Sequence, residues 1–194
     1  MHKKQCYLSI LLLLISFTTT QAATSTVVIN GELIGFDDIV VGEETYNVRF
    51  VEGSFISIFG DATGLDFTTI QQAGLAATAL KDTFNTFPIY DLAPSLTYGL
   101  TSDSSGQIFT PWYFKDNITS SKNYKNAGTQ DQFDAVTGNV SMIATYDTSP
   151  GNNFSGARVW ADWVSIPLPP TIWLLGSGII GLIGVNRKKH TKVN

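Results

Sequence analysis

The chain has 194 residues, with 12 Lys and Arg against 16 Asp and Glu, one Cys and two His. That length leaves room for one ordinary domain with a further segment at each end. All the carboxylates lie in residues 24–165, where only Arg49, Lys81, Lys115, Lys122, Lys125 and Arg158 oppose them, a net charge of −10. His2, His190 and Cys6 fall outside that stretch. His-based triads, thiol nucleophiles, disulfides and ordinary zinc, haem or iron–sulfur ligation are therefore excluded within it. The acidic balance argues against nucleic acid as a partner.

Residues 1–23 read as a secretory signal peptide. Lys3 and Lys4 form the charged start, residues 8–17 the apolar run, and Thr20-Gln21-Ala22 the small residues that cleavage requires, with Ala23 as an alternative end. The apolar run is too short to cross about 30 Å of hydrocarbon. The Sec translocon and a signal peptidase are the partners this segment implies. An uncleaved N-terminal anchor is the alternative. Cys6 would leave with the peptide.

Residues 24–165 are expected to form one mainly β ectodomain, an antiparallel sheet or sandwich with one amphipathic helix packed on it. Residues 27–36 begin with a strand-like run. Gly42-Glu43-Glu44 signals a turn between Ile39-Val40-Val41 and residues 45–51, so a hairpin is predicted. In the second of these strands Tyr46, Val48 and Phe50 share one face, and Asn47 and Arg49 the other. Residues 55–59 read as another short strand. From residue 66 to 84 the apolar positions Phe67, Ile70, Ala73, Ala77, Leu80 and Phe84 recur at helical spacing. Asp66 or Thr68 can cap this helix, Thr68-x-x-Gln71 resembles a capping box, and Pro88 lies just past the end. Strand signals return at 95–100, 107–114, 139–147 and 157–164. Residues 115–133 read as a long polar loop and 148–153 as a hairpin connection.

Chemistry-bearing groups are sparse in this domain. Asp37-Asp38, Glu43-Glu44 and Asp131 with Asp134 are the paired carboxylates, and a glycosidase needs two carboxyls about 5 to 9 Å apart across a cleft. Adjacent strand residues point to opposite faces, so Asp37-Asp38 cannot make that pair alone. Glu43-Glu44 falls in a predicted turn, where solvated charge is the plainer reading. Residues 126–134 offer oxygen ligands to calcium near Asp131 and Asp134 but lack the spacing of an EF-hand loop. A polar loop is the plainer reading there too, and no other cofactor is expected. Trp112-Tyr113-Phe114 and Trp160 with Trp163 could stack on sugars, since aromatic faces suit the CH surfaces of sugar rings, and Trp112 and Trp160 are the candidate sugar contacts. Trp160 and Trp163 should face opposite sides of a strand, one in the core and one exposed. Packing is the competing role for all of them.

The C-terminal segment, residues 166–189, opens with Ile166-Pro167-Leu168-Pro169-Pro170. Its prolines cannot all fit a helix interior and favour an extended, polyproline-like stalk. Residues 171–185 carry no charge and would make about 22 Å of helix. With the five residues before them they approach membrane-spanning length. Arg187, Lys188 and Lys189 follow, at the cytoplasmic end by the positive-inside rule. Gly178, Gly181 and Gly184 put small residues on one side of that helix. They form either a recognition face for a membrane partner or a merely permissive surface.

This combination of a proline-containing signature, a glycine-rich apolar helix and a basic cluster resembles the PEP-CTERM class of bacterial sorting domains. Ile166-Pro167-Leu168-Pro169-Pro170 with Trp173-Leu174-Leu175-Gly176-Ser177-Gly178 is similar to its VPLPA variant, with Ile166 in place of Val and Pro170 in place of Ala. The resemblance implies export in a Gram-negative exopolysaccharide producer. It also implies transient anchoring in inner-membrane lipid and processing by an exosortase, a polytopic transpeptidase-like membrane enzyme. The protein would then pass to the cell surface or extracellular matrix. On this reading the tail is a substrate and the chain is not itself an enzyme. For the ectodomain, a carbohydrate-binding module for the secreted polysaccharide and a carboxylate-based hydrolase are the alternatives.

Overall fold

Asn30 and Gly31, both at positive φ (53° and 89°), turn strand β1 (Ser25–Ile29) back onto β2 (Glu32–Val41). Positive φ at both central residues is what a type I′ hairpin turn requires. The stretch 27–36, expected to begin with a strand-like run, is therefore divided between β1 and β2 by this turn. A second two-residue turn, with Gly42 at φ 65°, pairs Val41 with Glu44 and starts β3 (Glu44–Val51), as expected. The computed structural model describes residues 22–60, 63–102, 106–115, 118–126, 135–143, 146–152 and 157–167. The expected signal peptide up to residue 21, Asp131 and Asp134, and Leu168, Pro169, Pro170 and the expected membrane helix with its basic end lie outside the described residues. No helix among the described residues is long and apolar enough to cross a membrane.

A second antiparallel ladder is made by β4 (Gly106–Lys115), β5 (Ile118–Asn126) and β6 (Ala135–Ile143). The last strand, β7 (Arg158–Ile166), lies between the two ladders. It pairs antiparallel with β3 from Thr45↔Ile166 to Val51↔Trp160, and parallel with β4 from Gln107↔Arg158 to Phe109↔Trp160. The result is one seven-stranded sheet in the order β1-β2-β3-β7-β4-β5-β6.

The expected antiparallel sheet or sandwich is thus corrected to a single mixed sheet. The cause is the segment between β6 and β7. Residues 148–153 do not join neighbouring strands as a hairpin. They belong to a crossover long enough to bring the chain back to the end where β4 begins, which parallel pairing requires.

Three further expectations shift. Residues 55–59 form helix α1 (Phe55–Phe59) rather than a strand, because Ser54 caps it by accepting from Ser57 N at 3.2 Å and Gly60 ends it. Residues 95–100 form no strand of their own. Pro94–Leu96 makes a 3-10 turn after the short helix α3 (Pro88–Leu92), and Thr97 and Leu100 make only isolated bridges. The polar stretch expected as a loop contains β5, whose place between β4 and β6 outweighs its weak strand composition.

The amphipathic helix is α2 (Ile70–Thr86), starting later than expected. Thr69, not Thr68, is its cap, accepting from Gln72 N at 3.2 Å, and Gln72 Oε1 in turn accepts from Thr68 N at 3.2 Å. Ala73, Ala76, Ala77, Leu80 and Phe84 are buried along one side. Three alanines let the helix settle close to the sheet. It touches β2 on one flank and β4, β5 and β6 on the other, so the sheet curls around it.

That concave side holds the larger core, with Leu33, Phe36, Ile39, Val48, Phe50, Ile108, Val159 and Trp163. The opposite face has a smaller core of Phe55, Phe109 and Trp160, closed by α1 and its neighbours. Both faces of β7 are therefore covered over its first half.

Two glycines test this packing from opposite sides. A Cβ on Gly35 would stand 2.0 Å from the Val48 carbonyl oxygen, so Gly35→Ala must part β2 from β3. A Cβ on Gly74 meets nothing within 4 Å. Urea titration is expected to show Gly35→Ala destabilised by about 3 kcal/mol or more, as for other severe packing faults. Gly74→Ala should be stabilised by up to about 1 kcal/mol through helix propensity.

Candidate functional site

Among the described residues, Asp37-Asp38 and Glu43-Glu44 do not meet across a cleft. Asp37 and Asp38 occupy a β-bulge, since Phe36 pairs with Val48 and Ile39 with Tyr46, leaving both opposite Asn47. Asp38, at φ 61°, donates its N–H to Asn47 Oδ1 at 3.2 Å, and its carbonyl accepts from Thr24 Oγ1 at 2.9 Å. Asp37 is ion-paired to Arg49 at 2.6 Å, and Arg49 also donates to the Phe36 and Val48 carbonyls. Glu43 is exposed in the turn. Glu44 accepts from the Tyr46 hydroxyl at 2.5 Å, and burial together with that carboxylate holds the phenol far above its ordinary range. Each of these residues thus shapes a turn or bulge. Among the described residues no group of three or more His, Cys, Asp or Glu is placed to hold a metal ion.

The carboxylates whose protonation is most affected by their surroundings are ones the sequence did not single out. Burial pushes Glu52, Asp66 and Asp162 above the ordinary carboxylate range. Asp66 sits where β4 and β7 diverge below their short parallel join. Leu65 packs on the α1 side, Phe67 on the α2 side, and Asp66 Oδ1 accepts from Ser165 N at 3.3 Å. The loop thus passes from one face of the sheet to the other along the edge of β7. Glu52 hydrogen-bonds Tyr98 at the opposite end of β3. Asp162 and Glu44 lie near enough to Asp66 to push it up further, whereas Glu52 is at the other end of β3, and no spacing in the sequence marks these acids as a group.

The aromatic candidates divide. Trp160 is 0% exposed, packed against Phe55, Phe59, Phe109 and Tyr146, and its Nε1 donates to the Gly53 carbonyl at 3.0 Å. Its assignment as a sugar contact is corrected, because the ring has no surface to offer. The same Gly53 carbonyl accepts from Thr148 N at 3.2 Å, and Gly53 N donates to Thr148 Oγ1 at 3.0 Å. Trp163 faces the other side, as expected, but it is buried as well, with Nε1 donating to Thr110 Oγ1 at 3.2 Å. One exposed tryptophan was expected on the premise of a single covered face. Here α2 covers one face and α1 the other. Trp112 is the extra residue of a bulge in β4 and is half-buried against the larger core. Its neighbour Tyr113, 39% exposed with ring centroids 5.4 Å apart, is the accessible aromatic of the Trp112-Tyr113-Phe114 run.

A groove of about 550 Å³ lies between α2, the end of β2 and the start of the described chain at Ala23 and Thr24. No strand among the described residues pairs with Ile39–Val41 on this side. Its helix wall carries Thr78, Thr83 and Thr86, whose hydroxyls all donate to carbonyls four residues back at 2.8 to 3.1 Å. The wall therefore presents methyl groups, together with Leu75, which is 58% exposed. Asp82 is the groove's carboxylate, paired with Lys81 at 2.6 Å. Such a surface can hold an apolar or weakly polar group by burial but offers no acid–base pair.

No protein-family model, curated protein or solved structure matches the chain.

The raised acids set a direction for pH dependence. A carboxyl whose folded pKa exceeds its unfolded value favours the folded state when protonated. That contribution is complete below the unfolded pKa, about 4, and is lost as pH rises through the folded value. The domain is expected to melt at higher temperature at pH 5 than at pH 7. Asp162→Asn should raise Tm at pH 7 and narrow the difference between the two pH values. Calorimetry at both pH values checks this, and an unchanged difference in the variant contradicts it.

Proposed function

We propose that residues 24–165 form an exported, non-enzymatic surface or matrix domain. It is held transiently at the inner membrane by the segment 166–189 until an exosortase releases it, in a cell that secretes exopolysaccharide. The observation that carries this reading is the order of the tail: a proline signature, an uncharged glycine-rich stretch, then Arg187, Lys188 and Lys189. Its position supports the reading. Ile166 is the last residue of β7, still paired with Thr45, and Pro167 follows it directly, exposed. The prolines thus begin where the folded domain ends. Signal peptidase and the Sec translocon act on the other end. In this proposal Pro167, Leu168, Pro169 and Pro170 are the recognition element, and Gly178, Gly181 and Gly184 the helix face nearest the processing enzyme.

Replacing both Pro167 and Pro169 by Ala tests it. Mass spectrometry and fractionation of a host with exosortase should find the unaltered chain shortened and outside the cell. The variant should stay full length in the inner membrane. If both mature alike, or both remain full length, the sorting reading fails.

Tyr113 exposed beside Trp112 favours carbohydrate binding as the second reading for the ectodomain. Polysaccharide pull-down should then be lost in Trp112→Ala and Tyr113→Ala with the fold intact by circular dichroism. Retention in both variants removes this reading.

A further inference from the structure

The two ends of the described domain leave from the same end of the sheet. Strand β1 starts at Ser25, opposite Asp37 of β2. Strand β7 stops at Ile166, opposite Thr45, which itself pairs with Val40 of β2. Because β1, β2, β3 and β7 are successively antiparallel, the start of the first and the finish of the last fall on one side, beside the Gly42–Glu43 turn. Three inter-strand steps of about 4.8 Å put the two exits about 14 Å apart across the sheet. The Asn30–Gly31 turn and Glu32 lie at the far end.

We infer that, in the anchored precursor, the sheet end formed by the start of β1, the Gly42–Glu43 turn and the finish of β7 faces the lipid bilayer, with the Asn30–Gly31 end pointing away. This rests on the reading of residues 171–185 as the membrane helix. Chain reach decides the orientation. Residues 167–170 extend at most about 12 Å at the polyproline rise of about 3.1 Å per residue. For the domain to turn over, the stalk would have to run back along β7, nine residues long, or about 30 Å at about 3.3 Å per residue. The stalk is too short by more than half. The N-terminal apolar segment, while still attached, enters from the same side, so both tethers can be satisfied together.

The orientation brings specific groups to the lipid surface. Glu43 and Glu44 occupy the turn, and Asp66 lies alongside the finish of β7. An acidic end within about 10 Å of anionic headgroups is only partly screened by salt. Repulsion from such headgroups then keeps the stalk extended and Pro167 open to an enzyme in the membrane.

The test uses the full chain with Cys6→Ser, reconstituted in phosphatidylcholine vesicles, carrying a fluorophore at Glu43→Cys or at Glu32→Cys. Both positions are exposed, and both substitutions remove one negative charge. With a quencher attached to the lipid headgroups, the label at residue 43 is expected to be quenched at least threefold more than the label at residue 32. Equal quenching, or stronger quenching at 32, overturns the orientation while leaving the anchoring reading intact. A chain that fails to float with the vesicles overturns the anchoring reading, and the orientation falls with it.

Discussion

Strand β7 is where two antiparallel ladders become one sheet. The ladder β1-β2-β3 and the ladder β4-β5-β6 each consist of sequence neighbours, and each could pair locally. Until β7 arrives between them, β3 and β4 each have one edge unpaired. From Thr45↔Ile166 to Val51↔Trp160 it completes β3, and from Gln107↔Arg158 to Phe109↔Trp160 it completes β4. These contacts are far apart in sequence, so their chain-closure cost must be met before they stabilise anything. The strand that meets this cost also carries the two tryptophans best placed to repay it. Trp163 goes into the α2-side core and Trp160 into the α1-side core, and each indole N–H is satisfied by a specific acceptor.

Several features that looked like chemistry in the sequence become, in this light, fittings of the join. Gly53 and Thr148 exchange hydrogen bonds, and Trp160 uses the same Gly53 carbonyl, so the crossover before β7 is fastened to the end of β3. Asp37 and Asp38 form a bulge that Asn47 and Arg49 stabilise. Asp66 caps a β7 amide at the edge that β4 leaves uncovered. Asp37, Asp38 and Asp66 are thus spent on backbone geometry, and Asp82 is the one carboxylate among the groove's lining residues beside α2.

What the sequence made legible was local. The 45–51 alternation, the Gly42–Glu43 turn and the 3.6-residue period of α2 each involve neighbours along the chain, and each appears within a few residues of its expected place. The misses have physical causes. Asn30-Gly31 is a hairpin signal inside the stretch 27–36, of which only the start reads as strand-like. Phe55 to Phe59 is rich in aromatic and β-branched residues like a strand, yet Ser54 and Gly60 supply helix ends. The polar β5 is a strand because of its neighbours, not its composition. The burial of both Trp160 and Trp163 follows from helices on both faces of β7, which no residue pattern within β7 could announce. Asp66 and Asp162 gain their raised protonation from tertiary placement in the same way.

Native-state hydrogen exchange is the most direct measurement of the central claim. If β7 unites the ladders, the amides of Val159, Ala161 and Trp163 exchange only through the opening that also exposes Val48 in β3 and Ile108 in β4, with one shared free energy and one shared denaturant dependence. Exchange of the β7 amides at a distinctly lower free energy, while Val48 and Ile108 stay protected, would show that each half of the sheet stands without β7 and would contradict the account.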